Sequence, residues 1–213
     1  MLRELSLTTI REARRRIAPY VLRTPVLYHR LHEDTELLLK PESLQSTGAF
    51  KLRGAFNLML TLPKNCAGVV AHSSGNHAQA VARAARILGL RAVIVMPNDV
   101  AARKRERTAA DGAEIVLVEP DSDERVRRAD AIARAENLAP VPPYDHALVA
   151  AGQGTAGLEL LEDADVVDRF YAPVSGGGLM AGCAVAIHAL SPRTEDRKDK
   201  GDSRPEVPAR GVL

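Results

Sequence analysis

The chain has 213 residues, 46% of them hydrophobic and 3% aromatic, enough for one large domain or two small lobes with a real core. Its 29 basic and 27 acidic side chains are interspersed and leave a formal charge of +2, which speaks against a nucleic-acid or membrane-surface partner. Cys66 and Cys183 lie far apart in apolar runs, without metal-ligand spacing, and read as buried thiols; with no basic-then-apolar leader and no apolar run long enough to cross a bilayer, a soluble cytoplasmic protein is expected.

In chain order, Thr9 to Ala18 reads as a basic helix ended by Pro19, and Thr24-Pro25 breaks into a short extended piece, Val26 to Tyr28. A short apolar strand, Leu37 to Leu39, then runs through a polar turn into a helix carrying Lys51. From Gly68 the pattern alternates. Val69 to Ala71, Ala92 to Met96 and Glu114 to Val118 read as strands. The helices between and after them are Asn76 to Leu88, closed by Gly89, then Ala101 to Ala110, and Ser122 to Glu136 with Asp123 and Glu124 near its positive end. Such alternation implies βαβ units and a mainly parallel sheet. Ala139 to Tyr144 is a proline-rich connection that could act as a hinge. A helix follows from Ala147 to Leu161, then a strand, Arg169 to Val174, the turn Ser175 to Gly178, and an apolar helix from Leu179 to Leu190 expected to be buried. From Arg193 the sequence is charged and shows neither period, so residues 192–213 are expected to be a disordered tail.

Three stretches carry chemistry. Lys51 follows Phe50 and precedes Leu52 and Arg53; apolar neighbours or a nearby cation would depress its pKa and make the amine a nucleophile toward carbonyls. An isolated helix lysine is otherwise simply solvated. Ser73-Ser74-Gly75-Asn76-His77, between a strand and a helix, offers donors and a helix dipole to an anion, a carboxylate being the obvious guest. The same turn could equally be an N-cap that satisfies its own backbone, and His77 either a base or a structural side chain. Ser175 to Gly178 lets the backbone close around an oxyanion and suits a phosphate monoester, since neither GxGxxG nor the P-loop pattern is present; glycine turns of this kind also serve tight packing alone.

Taken together, TGAFKLRGAFN, HSSGNHAQAVA, AGQGTAGLEL and APVSGGGLMAG make the chain resemble the serine/threonine dehydratase group of fold-type II, tryptophan-synthase-β-like, pyridoxal-phosphate enzymes, which includes serine racemase and threonine ammonia-lyase. The resemblance covers most of Leu7 to Leu190. It implies an α/β fold of two lobes, open twisted parallel sheets flanked by helices, with residues 1–66 plus 142–191 as the large lobe and 67–141 as the small one. It implies pyridoxal 5'-phosphate as cofactor, bound through a Schiff base to Lys51, with Phe50 beside the pyridine ring and Asn76 on its 3-oxygen. Ser175 and the backbone N–H groups of Gly176, Gly177, Gly178 and Leu179 would take the phosphate. Thr47, Ser73, Ser74, Gly75 and His77 would line the substrate carboxylate side, and Ser74 matches the position that acts opposite the lysine in racemising relatives. The implied reaction is release of ammonia and a 2-oxo acid from L-threonine or L-serine. Racemisation, another β-elimination or replacement, and a non-catalytic remnant stay open as alternatives. The group's members are often homodimers. They continue beyond the phosphate turn, so the resemblance implies a large lobe that is incomplete, as in a truncated or frameshifted product.

Overall fold

The computed structural model describes residues 4–164 and 167–199. Helix α1 (Leu7–Ile17) opens on a capping box, in which Ser6 accepts from Thr9 N and the Thr9 hydroxyl accepts from Ser6 N. It buries Ile10, Ala13 and Ile17, one stripe of the helix, and leaves Arg11 and Arg15 exposed. Strands β1 (Leu27–His32) and β2 (Thr35–Leu39) form an antiparallel hairpin with Leu27 opposite Leu39. Both strands are longer than the sequence pattern suggests, and every residue of β1 is exposed. The ladder, not burial, holds β1, and a strand with no apolar face leaves no period to read.

After a 3-10 turn at Glu42–Leu44 comes α2 (Lys51–Met59), whose residues after Lys51 are all buried. Then β3 (Val69–His72), α3 (Asn76–Leu88), β4 (Ala92–Pro97), α4 (Ala102–Ala109), β5 (Glu114–Val118) and α5 (Ser122–Glu136) alternate as expected. Gly89 closes α3 in the left-handed region at φ 69°. The proline-rich connection begins with a two-residue strand, β6 (Ala139–Pro140), and β5, β4, β3 and β6 lie side by side, all parallel. Pro140 is tolerated there because β6 is an edge strand.

The chain then forms α6 (Ala147–Asp163), β7 (Arg169–Pro173) and α7 (Gly178–Leu190). A further strand, β8 (Glu195–Asp199), pairs in parallel with β7, Arg169 opposite Glu195. This corrects the reading of the tail as unstructured from residue 192: β7, α7 and β8 make a βαβ unit, and backbone pairing accepts a charged sequence that could not bury a face. Residues 200–213 lie outside the described residues. The main core joins α2 to the four-stranded sheet: Leu52, Phe56 and Met59 pack with Val69, Ala71 and Val81, and Tyr20 stacks on Phe56 with ring centroids 4.9 Å apart. A second cluster packs β7 and α7 against α6.

Candidate active site

The turns after β3 and β7 both leave the carboxyl ends of parallel strands, the usual ligand position in such sheets. Between them lies a cavity of about 610 Å³ whose lining includes Phe50, Lys51, Ser73, Ser74, Asn76 and the run Ser175 to Leu179.

Lys51 is the first residue of α2 and its Nζ donates to Pro143 O at 2.7 Å. Nζ also stands 5.3 Å from the centre of the Phe50 ring. Burial pushes the Lys51 amine below its ordinary value and is the sole cause of that shift. The expected contribution of Arg53 is therefore not found. Two residues apart on a helix, side chains project about 200° apart, so Arg53 faces away from the cavity into a buried ion cluster described below.

The second wall is the start of α7. Gly177, its N-cap, adopts φ 84°, and no side chain caps the helix. A Cβ on Gly176 would sit 2.1 Å from the Tyr144 ring. Only glycine lets the backbone lie this close to Tyr144 while turning into the helix. The N–H groups of the first turn of α7 have no side-chain acceptor and open on the cavity, a ready anion cup.

The turn into α3 behaves similarly. Gly75 is the N-cap, without a side-chain cap, and Ser73 Oγ accepts from Gly75 N at 3.2 Å. Thus neither serine nor Asn76 is spent on capping the helix. Ser73, Ser74 and Asn76 line the cavity. Gly75 and Thr47 are not among its lining residues, and Thr47 Oγ1 is buried with no hydrogen-bond partner. His77 lines the cavity but is buried, and its Nε2–H donates to Val141 O at 2.8 Å. Burial first, then the charges of Lys51 and His72, against the opposing bond to Val141, hold its pKa down to about 4. Of the two readings of His77, a structural side chain locked neutral is the one the geometry supports.

The profile of the family described as pyridoxal-phosphate dependent enzyme matches residues 17–196. The chain belongs to this family. It is 44% identical over 186 residues to the L-threo-3-hydroxyaspartate ammonia-lyase of Saccharomyces cerevisiae, covering 85% of this chain and 57% of that protein. It is 39% identical over 191 residues to the serine racemase of Schizosaccharomyces pombe, covering 87% and 59%. Among solved structures, the threonine deaminase of T.th. superposes with a TM-score of 0.85 at 46% identity, covering 92% of this chain and 65% of that one. The chain thus spans a little under three fifths of the length of these curated relatives.

The residues present fit the family's cofactor. No carboxylate lines the cavity among the described residues, while Lys51, Arg125 and four serines, Ser73, Ser74, Ser122 and Ser175, do. Such a donor set suits a phosphate and a carboxylate together. Eight lining residues were given no site role from the sequence: His72, Ser122, Arg125, Val126, Pro143, Tyr144, Pro173 and Val174. Arg125 sits in what reads as a solvated surface helix, and Pro143-Tyr144 in a connection. The pKa of His72 is lowered by burial and then by Arg125, against Asp130.

Behind α2 the chain carries a buried cluster that the sequence did not announce. Arg53 Nε and Nη2 hold both oxygens of Glu42 at 2.7 and 2.8 Å. Its Nη1 and Nη2 hold both oxygens of Glu159 at 2.7 and 2.8 Å. Lys40 Nζ reaches Glu159 at 2.8 Å and Thr24 O at 2.5 Å. Burial works against the Arg53 charge, but the bonds to Glu42 and Glu159 outweigh it and raise its pKa. Two cations and two anions make the cluster neutral. The one available hint was charge inside apolar runs, Lys40 after Leu39 and Glu159 within LELLE.

Proposed function

We propose that the protein is a pyridoxal-phosphate-dependent ammonia-lyase that converts L-threonine or L-serine to a 2-oxo acid and ammonia. The observation that carries this reading is a partly buried lysine with a lowered pKa, in one cavity with a glycine cup at a helix start. Lys51 would hold the cofactor aldehyde, Phe50 flank the ring, and Asn76 meet the 3-oxygen. The backbone N–H groups of Gly176 to Leu179, with Ser175, would take the phosphate. Bound cofactor supplies an electron sink for the pair left at the substrate α-carbon.

The chain's own groups do the rest. Ser73 and Ser74, with the first turn of α3, bind the substrate carboxylate and orient the α-hydrogen toward Lys51. The lowered pKa leaves more of the Lys51 amine unprotonated at neutral pH, so Nζ can receive the α-proton as a general base. Phe50, Tyr144 and Leu179 restrict water at the cavity wall. His77 takes no part in proton transfer through Nε2, whose hydrogen is committed to Val141 O. If Ser74 Oγ instead returns a proton to the α-carbon, the outcome is racemisation, the activity for which the fission-yeast relative is named.

The test is 2-oxo acid release from L-threonine and L-serine by purified protein with added pyridoxal phosphate. Lys51→Ala should remove nearly all turnover, and full activity in that variant would exclude the assignment. A second reading of the substrate is favoured by Arg125, the other cation on the cavity wall. A hydroxyamino acid with a second carboxylate, as in the name of the budding-yeast relative, would pair with it. Arg125→Ala should then raise KM for L-threo-3-hydroxyaspartate and leave KM for L-threonine nearly unchanged. Equal effects on both substrates would remove this reading. A homodimer in the cytoplasm is the expected form, checked by sedimentation of the purified chain and by fractionation of cells.

A further inference from the structure

Lys51 and Arg53 leave the same helical turn in nearly opposite directions. Lys51 reaches into the cavity, whereas Arg53 is 0% exposed and gripped by two forks, Glu42 on one side and Glu159 on the other. Glu159 belongs to α6, and α6 is the element shared by both halves of the site. On one face it touches α2 backbone to backbone: a Cβ on Gly152 would lie 2.7 Å from Arg53 O. On another face it touches α7 as closely: a Cβ on Gly182, one turn beyond the cup, would lie 2.1 Å from Ala150 O. Contacts of this kind do not yield by side-chain rotation, so α6 fixes the separation of the two helices. Separation alone leaves the first turn of α2 some freedom of rotation about the axis, which the packing of Leu52, Phe56 and Met59 limits without fixing. The double fork on Arg53 removes that freedom, because planar guanidinium–carboxylate pairs are directional.

We propose that Arg53 is a positioning residue: clamped behind α2 by Glu42 and Glu159, it sets the rotation of the first turn and so aims Lys51 Nζ at the Ser175–Leu179 cup. The proposal rests on the reading of Lys51 and the cup as one cofactor site.

The experiment compares two aldehydes that differ only in the phosphate ester, pyridoxal 5'-phosphate and pyridoxal. Each is attached to the full chain, trapped with borohydride, and located on Lys51 by peptide mass. The ratio of the two rates, divided by the same ratio for free α-N-acetyl-lysine because pyridoxal is largely closed to its hemiacetal, measures how well lysine and cup act together. In the native chain the phosphate should raise the Lys51 rate at least about tenfold, the gain from holding both ends of one reactant. Arg53→Lys keeps the buried charge but loses the forks. It should leave the pyridoxal rate within about twofold and lower the ratio about tenfold, toward one. Gly182→Ala, which moves the cup and leaves Arg53 intact, should lower the same ratio from the other side.

A folded Arg53→Lys chain with the native ratio overturns the proposal, and so do two rates that fall equally, since a merely structural loss affects both aldehydes alike. If Arg53→Lys does not fold by circular dichroism, Glu42→Gln, which removes one charge of the clamp, decides by the same ratio. A ratio near one in the native chain removes the reading of the site, and the proposal with it. That failure is recognisable because it appears before any substitution.

Discussion

His77 shows how a residue beside the reaction can be shaped by the fold instead. It is 3% exposed, with Nε2–H on Val141 O and Nδ1 without a partner. In the unfolded chain it takes up a proton near pH 6.5, in the folded chain only near 4. Between these values the unfolded state binds more protons, so stability falls as pH falls from about 6.5 to about 4. From this pKa difference the loss below pH 4 is roughly 3 kcal/mol. His77→Gln can keep the donation to Val141 O without a titrating ring. The urea midpoint of that variant should change less between pH 7 and pH 4.5 than the midpoint of the native chain. Lys51 is shaped by burial in the same sense but stays within reach of ligand, so for it the shift raises reactivity.

At the scale of elements, the turn between β7 and α7 is defined by a ring as much as by its glycines. Gly176→Ala places a methyl against Tyr144, an overpacking that should cost about 1–3 kcal/mol and weaken phosphate binding. Tyr144 is 43% exposed and can be truncated. Gly176→Ala combined with Tyr144→Ala should recover much of the lost stability, read as non-additivity in thermal unfolding.

Such pairings explain what the sequence could and could not disclose. The strands β3, β4 and β5 are apolar or β-branched runs between turn signals, so periodicity finds them, and β4 is buried at all six positions. The lysine helix and both anion turns are local motifs, legible in a few adjacent residues. By contrast β1 and β8 owe their form to backbone partners and carry no apolar face. The Arg53–Glu159 fork joins residues 106 apart, and no local pattern encodes it. Arg125 and Tyr144 join the site only because α5 and the β6–α6 connection are folded over the cavity.

For the molecule as a whole, stability should be graded from the sheet outward. β4 is flanked on both sides, by β3 and β5, and is wholly buried, whereas β1 is fully exposed. Amide hydrogens of Val93 to Met96 should therefore exchange last and close to the global unfolding limit, and those of β1 among the first, measured by hydrogen exchange at neutral pH. Removing one partner of the neutral cluster acts at this scale too, because it links the segment after β2, Lys40 to Glu42, with α2 and α6. Glu159→Ala takes the carboxylate partner from Lys40 and leaves Arg53 with Glu42 alone, one buried positive charge in excess, and should lower global stability by about 3–5 kcal/mol, read from urea unfolding.

The contact between Tyr144 and Gly176 also has an optical side. The chain has four tyrosines and no tryptophan, so its ultraviolet emission comes from phenol rings alone. Tyr20 is stacked on Phe56, while Tyr144 borders the cup itself. A chromophore seated between Lys51 and α7 would quench Tyr144 by energy transfer at van der Waals range. The protein thereby carries its own fluorescent gauge of occupancy, with no label required and with Tyr144→Phe as its blank.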